Sequence, residues 1–388
     1  MTRTLAACTD RTDSAEAGRH LGAQIRDALE GTPPDALIVF ASPQFDHEAL
    51  LVAIDAECRP RLIVGASSAG EFIGRRAAQG TACALAIVST ELQMAAGVGL
   101  GVSRDHARAA RELVSVFRGL GARDYPYRAA LVMTDALAGH ADELIEELTI
   151  LTSGQYQFAG GGAGDDAKFS RTHVFCGTRA YTDAVVALEI LSTKPIGIGV
   201  GHGWTPATAA LRVTEAEGRR LVSLNGLPAA EVFEEHARRT GQRFDPDAPL
   251  PFFLHNILGI DTGAGYRLRV PLAVEEDGSV VCAAEIPAGA QVCIMKATAE
   301  SAIAAAGRAT EAAVRALGDA RPGAALFFDC VATRLRMGDV FGFELESVAD
   351  LLGGIELVGC NTYGQIARAD GQFNGFHNCT AVVMVLPT

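Results

Sequence analysis

The sequence is short of positive charge: 33 lysines and arginines face 46 aspartates and glutamates, for a net charge of −13. Binding to a nucleic-acid backbone or an anionic membrane surface needs a basic footprint, so neither is an expected partner. No apolar run is long enough to span a bilayer, and the first 20 residues carry no sustained apolar stretch of the kind a secretory leader has. No two cysteines have C-x-x-C spacing and no H-E-x-x-H occurs, so c-type haem attachment and the commoner zinc motifs are not expected. The glycine-rich segments fit neither G-x-G-x-x-G nor G-x-x-x-x-G-K-[ST], the usual nucleotide-binding turns. The nine cysteines are an odd number, and Cys83, Cys176, Cys282, Cys293, Cys330 and Cys379 sit in or beside apolar runs. They read as small buried hydrophobes rather than a disulfide framework. A reducing, cytoplasmic setting and no metal are expected.

Apolar residues and glycine are abundant. With 49% hydrophobic and 20% charged residues the chain can build a large core, and its 388 residues predict two or three domains. The glycines are organised. In Arg61–Gly74, RLIVGASSAGEFIG, a short β-branched run ends in small residues and then an acid, Glu71. Glycine there permits positive φ and close approach, and a carboxylate in apolar surroundings must be hydrogen-bonded or costly. The figure returns at Phe158–Asp166 (FAGGGAGDD) and Glu356–Ile366 (ELVGCNTYGQI). Apolar strands precede the three copies at Ala36–Phe40, Ala130–Met133 and Ala325–Phe328, and others follow at Ala82–Val88, Thr172–Phe175 and Thr380–Leu386. A helix-like segment lies between the first strand and the glycine turn each time. This is a diverged strand–helix–strand–glycine turn–strand repeat.

Helical periodicity marks Ser14–Leu29, Glu48–Glu57, Asp105–Leu120, Ala141–Ser153, Pro228–Arg238 and Thr298–Leu317. Pro195–Trp204 carries glycine at every second position from Gly197 to Gly203, Leu211–Val222 reads as a hairpin, and Asp277-Gly278 is a strong hairpin turn. The expected fold class is α/β, with two domains, 1–226 and 227–388, whose mixed β-sheets are built from the repeats.

Several blocks together resemble a known family. Val64–Glu71, Gly160–Asp166 and Gly201–Trp204 resemble the N-terminal FIST domain. Asp329-Cys330 with Arg334, the Gly359–Ile366 turn and Phe376–Thr380 resemble the C-terminal FIST domain. The resemblance runs through nearly the whole chain, with two departures: Gln365 stands where a glutamate is usual, and Cys379 where a glutamine is common. It implies a non-catalytic, small-ligand-binding sensor of intracellular signal transduction that acts through a separate signalling partner. One branch, the NosP type, binds haem b and reports nitric oxide to histidine kinases, which makes haem the alternative cofactor and a histidine kinase the alternative partner. A third reading is an interaction scaffold without ligand.

The candidate ligand-binding residues are Ser67, Ser68, Glu71, Asp165, Asp166, Arg334, Tyr363, Gln365 and Asn378. An amino-acid-like ligand would meet glycine-turn N–H groups with its carboxylate and an acid with its ammonium. The alternative for each acid is that it pins its own turn. If haem binds, His255, His377 and His202 have the apolar or aromatic neighbours an axial ligand needs. An enzyme would rest on Cys330, with Asp329 beside it, Arg334 to favour its thiolate and His377 as base; a buried strand cysteine is the plainer reading.

Overall fold

The computed structural model describes residues 2–369 and 375–388, and its architecture is α/β with mixed sheets. One plan is used three times. An edge strand (Thr2–Thr9, Leu92–Leu100, Gly197–Gly201) precedes a helix (Ser14–Ala28, Val102–Val114, Ala299–Ala316) and a leading strand (Ala36–Ala41, Tyr127–Thr134, Pro322–Cys330). A second helix (His47–Cys58, Ala141–Leu151, Gly342–Leu352) then leads to a glycine strand (Ile63–Ser67, Gln157–Gly162, Glu356–Thr362), a short hairpin, and a return strand (Ala82–Ser89, Ala184–Ser192, Ala381–Pro387). The first helix of each of the outer repeats starts on a side-chain cap: Asp13 accepts from the N–H of Glu16, and Thr298 with Ser301 forms a capping box.

Each repeat builds a sheet in the order edge, return, leading, glycine, and only the leading and glycine strands run parallel. Each of these three sheets is completed by a hairpin from another repeat. The first hairpin (Glu71–Ile73, Arg76–Ala78) joins the third glycine strand, the second (Val174–Cys176, Arg179–Tyr181) joins the first, and the third (Gln365–Arg368, Gly375–His377) joins the second. The exchange is cyclic. It corrects one sequence assignment: Thr172–Phe175 is not the second repeat's return strand but leads into an arm of the exchanged hairpin, and the return strand is Ala184–Ser192. Both are short apolar segments, and periodicity does not distinguish them; the partner strand does.

Strand alternation places the core. Ile38 and Phe40, Leu131 and Met133, and Leu326 and Phe328 point into one central cluster shared by all three sheets. The intervening Leu37 and Val39, Val132, and Ala325 and Phe327 face outward, each set under its own repeat's helices. The alternating glycines of Gly197–Gly203 have a packing reason. A Cβ at Gly197, Gly199, Gly201 or Gly203 would lie 1.9, 1.8, 2.7 and 2.3 Å from the carbonyl oxygens of Ala313, Ala309, Ala305 and Ser301. The strand's two-residue repeat matches the helix's four-residue repeat, and only glycine lets the two backbones approach this closely.

Residues 205–296 form an insertion between the third edge strand and its helix. It contributes a nine-stranded sheet with its own core of Val213, Leu221, Phe233, Phe253, Leu258 and Ile294. The third repeat's edge strand, Gly197–Gly201, pairs with the return strand at the far C-terminal end, so the sheets interlock across the middle of the chain. Among the described residues no helix is long and apolar enough to cross a membrane.

Candidate functional site

Because each hairpin leaves its own sheet, the glycine turn before it crosses to a neighbour, and the three turns meet. The N–H of Ala69 donates to Asn361 O at 3.0 Å and that of Asn361 to Gly70 O at 2.8 Å. The N–H of Gly164 reaches Ser67 O, that of Tyr363 reaches Gly162 O, and that of Gly162 reaches Gly364 O, all at 2.9 Å. With Ala163 donating to Thr134 O, the N–H groups of Gly162, Ala163 and Gly164 are all engaged within the protein, so this part of the run is no phosphate cradle.

Most of the sequence-selected residues lie at or beside this junction, but they divide by role. Ser67 Oγ accepts from His173 N–H at 2.9 Å and bridges the first glycine strand to the second hairpin. Asp165 is buried and accepts from the N–H groups of Phe169, Ser170 and Arg171, the Ser170 hydroxyl and the Tyr363 hydroxyl. Burial opposes its charge, but the tyrosine hydroxyl and the turn N–H groups outweigh it and hold the carboxyl below the usual range. Tyr363 in turn stacks on Phe169 at 4.5 Å. Gln365 is fully buried; its amide donates to Thr362 Oγ1 at 2.9 Å and accepts from Thr380 N–H at 3.2 Å. Asn378 accepts from Val270 N–H at 3.4 Å and donates to His377 O at 3.3 Å. These side chains brace turns.

The remaining group gathers around Arg334, whose charge acts on Asp166 and Glu71. Glu71, 1% exposed, accepts from Ser68 Oγ, from Thr81 Oγ1 at 2.7 Å and from Thr81 N–H at 3.2 Å, yet burial pushes its carboxyl up to about 7. Asp166 accepts one long bond from Ser42 Oγ, 3.4 Å, through Oδ2, while Oδ1 is buried without a hydrogen bond. Burial raises its carboxyl despite the pull of Arg334. The Arg334 guanidinium lies across Gly70, where a Cβ would stand 2.7 Å from Nη1, so the second glycine of this turn makes room for the cation. Asn361, fully buried, hydrogen-bonds through neither Oδ1 nor Nδ2. The Gln79 amide, oriented with its oxygen inward, accepts from Arg334 Nη2 at 2.9 Å. Arg334 and Asn361 open onto a groove of about 700 Å³ that Arg75, Arg76 and Asp339 also line.

Sequence reasoning missed Asn361, Gln79 and Ser42. Asn361 lies inside the third glycine turn, and its alignment with Ser67 in the first was the available signal. Gln79 follows a hairpin whose destination the sequence does not disclose.

Cys330 is buried against an apolar slot of about 60 Å³ with Val270, Leu272 and Tyr363. Hydrogen bonding from the Cys379 thiol pushes its own thiol down against the opposing effect of burial, helped by the N–H groups of Cys379 and Ala332 and by Gln365. Of the groups named for a cysteine enzyme, Arg334 interacts with Asp166 and Glu71, and His377 is held neutral by burial and by the charges of Arg269 and Arg267. Asp329 is paired with Glu344 in the interior, and burial pushes both carboxyls up.

The three candidate histidines differ in their access to open space. His255 is exposed, His202 borders a space of about 10 Å³ beside Trp204, and His377 is buried, its imidazole pushed down to about 3 by burial and by the cations of Arg269 and Arg267. A site for a large flat ligand occupies roughly 300–1,000 Å³.

Family models match the chain over most of its length: the FIST N domain over residues 35–227 and the FIST C domain over residues 229–368. An uncharacterized protein of Mycobacterium tuberculosis is 23% identical over 398 residues, covering 96% of this chain and 95% of its own. An uncharacterized protein of Mycobacterium bovis is 23% identical over 396 residues, covering 95% of each. Among solved structures, a cyanuric acid hydrolase from A. caulinodans aligns over 100% of both chains with 8% identity and a TM-score of 0.38, a likeness too remote to carry an activity across.

Proposed function

Because the chain belongs to the FIST family, an N domain followed by a C domain with that family's sensory and signalling role, we propose that it senses a small zwitterionic or anionic metabolite of the amino-acid class at the junction of its three glycine turns. The observation that carries this reading is Asn361: a fully buried amide with neither end hydrogen-bonded, next to a guanidinium, at the head of an open groove. Buried polar groups in folded proteins have partners with few exceptions, and an exception in a groove is what a ligand would satisfy. Arg334 would take the ligand carboxylate as a planar fork, and Asp166, assisted by Glu71, would take the ammonium. The site joins all three repeats, so occupancy would bear on the packing of the exchanged hairpins. A ligand of this kind shifts a conformational equilibrium only by its differential affinity, about 1–3 kcal/mol for ordinary coupling. The output would pass to a separate signalling protein.

The test is a thermal-shift screen of amino acids and small carboxylates against the wild-type protein, with calorimetry on the best ligand. Arg334→Ala is expected to weaken binding by 10-fold or more, since hydrogen bonds to charged groups contribute about 1.5–3 kcal/mol each. Asp166→Asn is expected to weaken ligands carrying an ammonium and to leave simple carboxylates unaffected. A panel without any shift, or equal binding by wild type and Arg334→Ala, overturns the proposal.

A further inference from the structure

Away from the turn junction, the insertion meets the second repeat at a cluster of potential metal-ligating groups. His140 is the N-cap of the helix Ala141–Leu151, in the left-handed region at φ 55°, and Glu143 is in that helix's first turn. Three residues apart on a helix, they share a face, with Nδ1 3.7 Å from Glu143 Oε1. The third member, Glu285, comes from the insertion, where Arg269 Nε holds its carbonyl oxygen at 2.8 Å. One nitrogen or oxygen from each of the three lies within 4.8 Å of the others. His106 stacks on His140 with ring centroids 5.2 Å apart.

Two features set this cluster apart from an ordinary polar contact. His140 Nδ1 and Glu143 Oε2 are buried atoms without a hydrogen bond. The nearby arginines do not neutralise the two glutamates: Arg267 and Arg269 both pair with Asp142, and among the described residues the ion pairs formed by Glu143 and Glu285 include only His140. Two carboxyl groups, hydrogen-bonded to each other, and an imidazole therefore converge, with His140 Nδ1 and Glu143 Oε2 still without a hydrogen bond.

We propose that His140, Glu143 and Glu285 bind a divalent first-row transition ion of the zinc class, which ties the insertion to the second repeat. Imidazole with carboxylates is a donor set for zinc, cobalt or manganese rather than for magnesium or a soft cuprous ion. Ligand atoms bonded at about 2.0–2.2 Å stand roughly 3.3–3.6 Å apart around a tetrahedral ion, so small side-chain rotations close the site. Water would fill the remaining position. No linear motif announces the site, because one ligand comes from the insertion.

The experiment is calorimetric titration of the metal-stripped full-length protein with Zn²⁺, repeated with Co²⁺ for its absorption spectrum. One ion per chain is expected, with a rise in Tm on binding. Glu285→Gln, Glu143→Gln and His140→Asn are each expected to weaken it at least 10-fold; asparagine tolerates the left-handed backbone at position 140. Unchanged metal-free Tm values would show that the variants are folded. Should one variant fail to fold, the other two decide. Affinity and stoichiometry equal to wild type in any folded variant overturn the site, as does a cobalt spectrum dominated by thiolate charge transfer, which would place the ion on the cysteines.

Discussion

Gly160→Ala is expected to abolish the native fold or reduce its stability by more than about 4 kcal/mol, an effect larger than most single substitutions produce. Gly160 pairs with Val132 in the parallel register of the second sheet, at φ 145°, and a Cβ there would lie 1.9 Å from the Val132 carbonyl oxygen. Favourable heavy-atom contacts lie near 3.5–4.0 Å, so one backbone would have to move by well over an ångström. A flexible side chain can give way; a backbone carbonyl in the middle of a sheet cannot. Gly65 and Gly359 occupy the equivalent register positions in the other repeats, with Cβ contacts of 1.8 and 1.9 Å to Val39 O and Phe327 O. All three alanine variants should therefore fail alike. Gly342→Ala is the control: the position begins a helix and has nothing within 4 Å of an added Cβ, so it should be neutral or stabilising by up to about 1 kcal/mol. Urea and thermal melts of the four variants make the comparison, and a Gly160→Ala protein as stable as Gly342→Ala would refute the close-approach account.

Glu71→Gln is expected to stabilise the protein at pH 8 relative to wild type, with the advantage vanishing by pH 4.5. In the folded protein burial raises the Glu71 carboxyl from 4.5 to about 7. Below 4.5 both folded and unfolded states hold the proton and the two proteins differ only by their hydrogen bonds. Between 4.5 and 7 the unfolded state releases the proton while the folded state keeps it, so wild-type stability falls as pH rises. Above 7 both states are ionised and the loss is complete, about 3 kcal/mol for a shift of this size at 1.36 kcal/mol per pH unit. Other buried groups titrate as well. Glu344 acts in the same direction, while His47 and His377, both pushed down by burial, act in the opposite one. They are common to both proteins and cancel in the difference. A glutamine is compatible with the surroundings because the third repeat already has one: Gln365 bonds Thr362 three residues earlier, as Glu71 bonds Ser68. Chemical denaturation of both proteins at pH 4.5, 6 and 8 measures the effect, and a difference independent of pH would show that Glu71 is ionised throughout.

The glycine turns, their three-fold recurrence and the strands leading into them were legible because each is a local pattern of apolar residues ending in small ones. The helices likewise follow from their periodicity, with ends displaced by a few residues: the helix expected from Asp105 starts at Val102 behind Gly101. The second return strand was misplaced because the loop from Asp165 to His173 lengthens that repeat alone, and a short buried strand looks the same whichever sheet it enters. Glu71 and Asp166 stand out in the sequence as acids beside glycine turns, but so does Asp165, whose carboxylate is satisfied by its own turn.

The α/β class, the repeat, the glycine turns and a shortlist of polar residues are readable along the chain, since these depend on neighbours within a few positions. The exchange of hairpins between sheets, the groove that Arg334 and Asn361 share with the first hairpin, and the approach of Glu285 to His140 and Glu143 emerge from long-range packing. The physical reason is that exposed strand edges offer much the same backbone donors and acceptors to any partner. The choice of partner is made by side-chain packing in the central cluster and by the backbone contacts that glycine permits, and both join residues hundreds of positions apart.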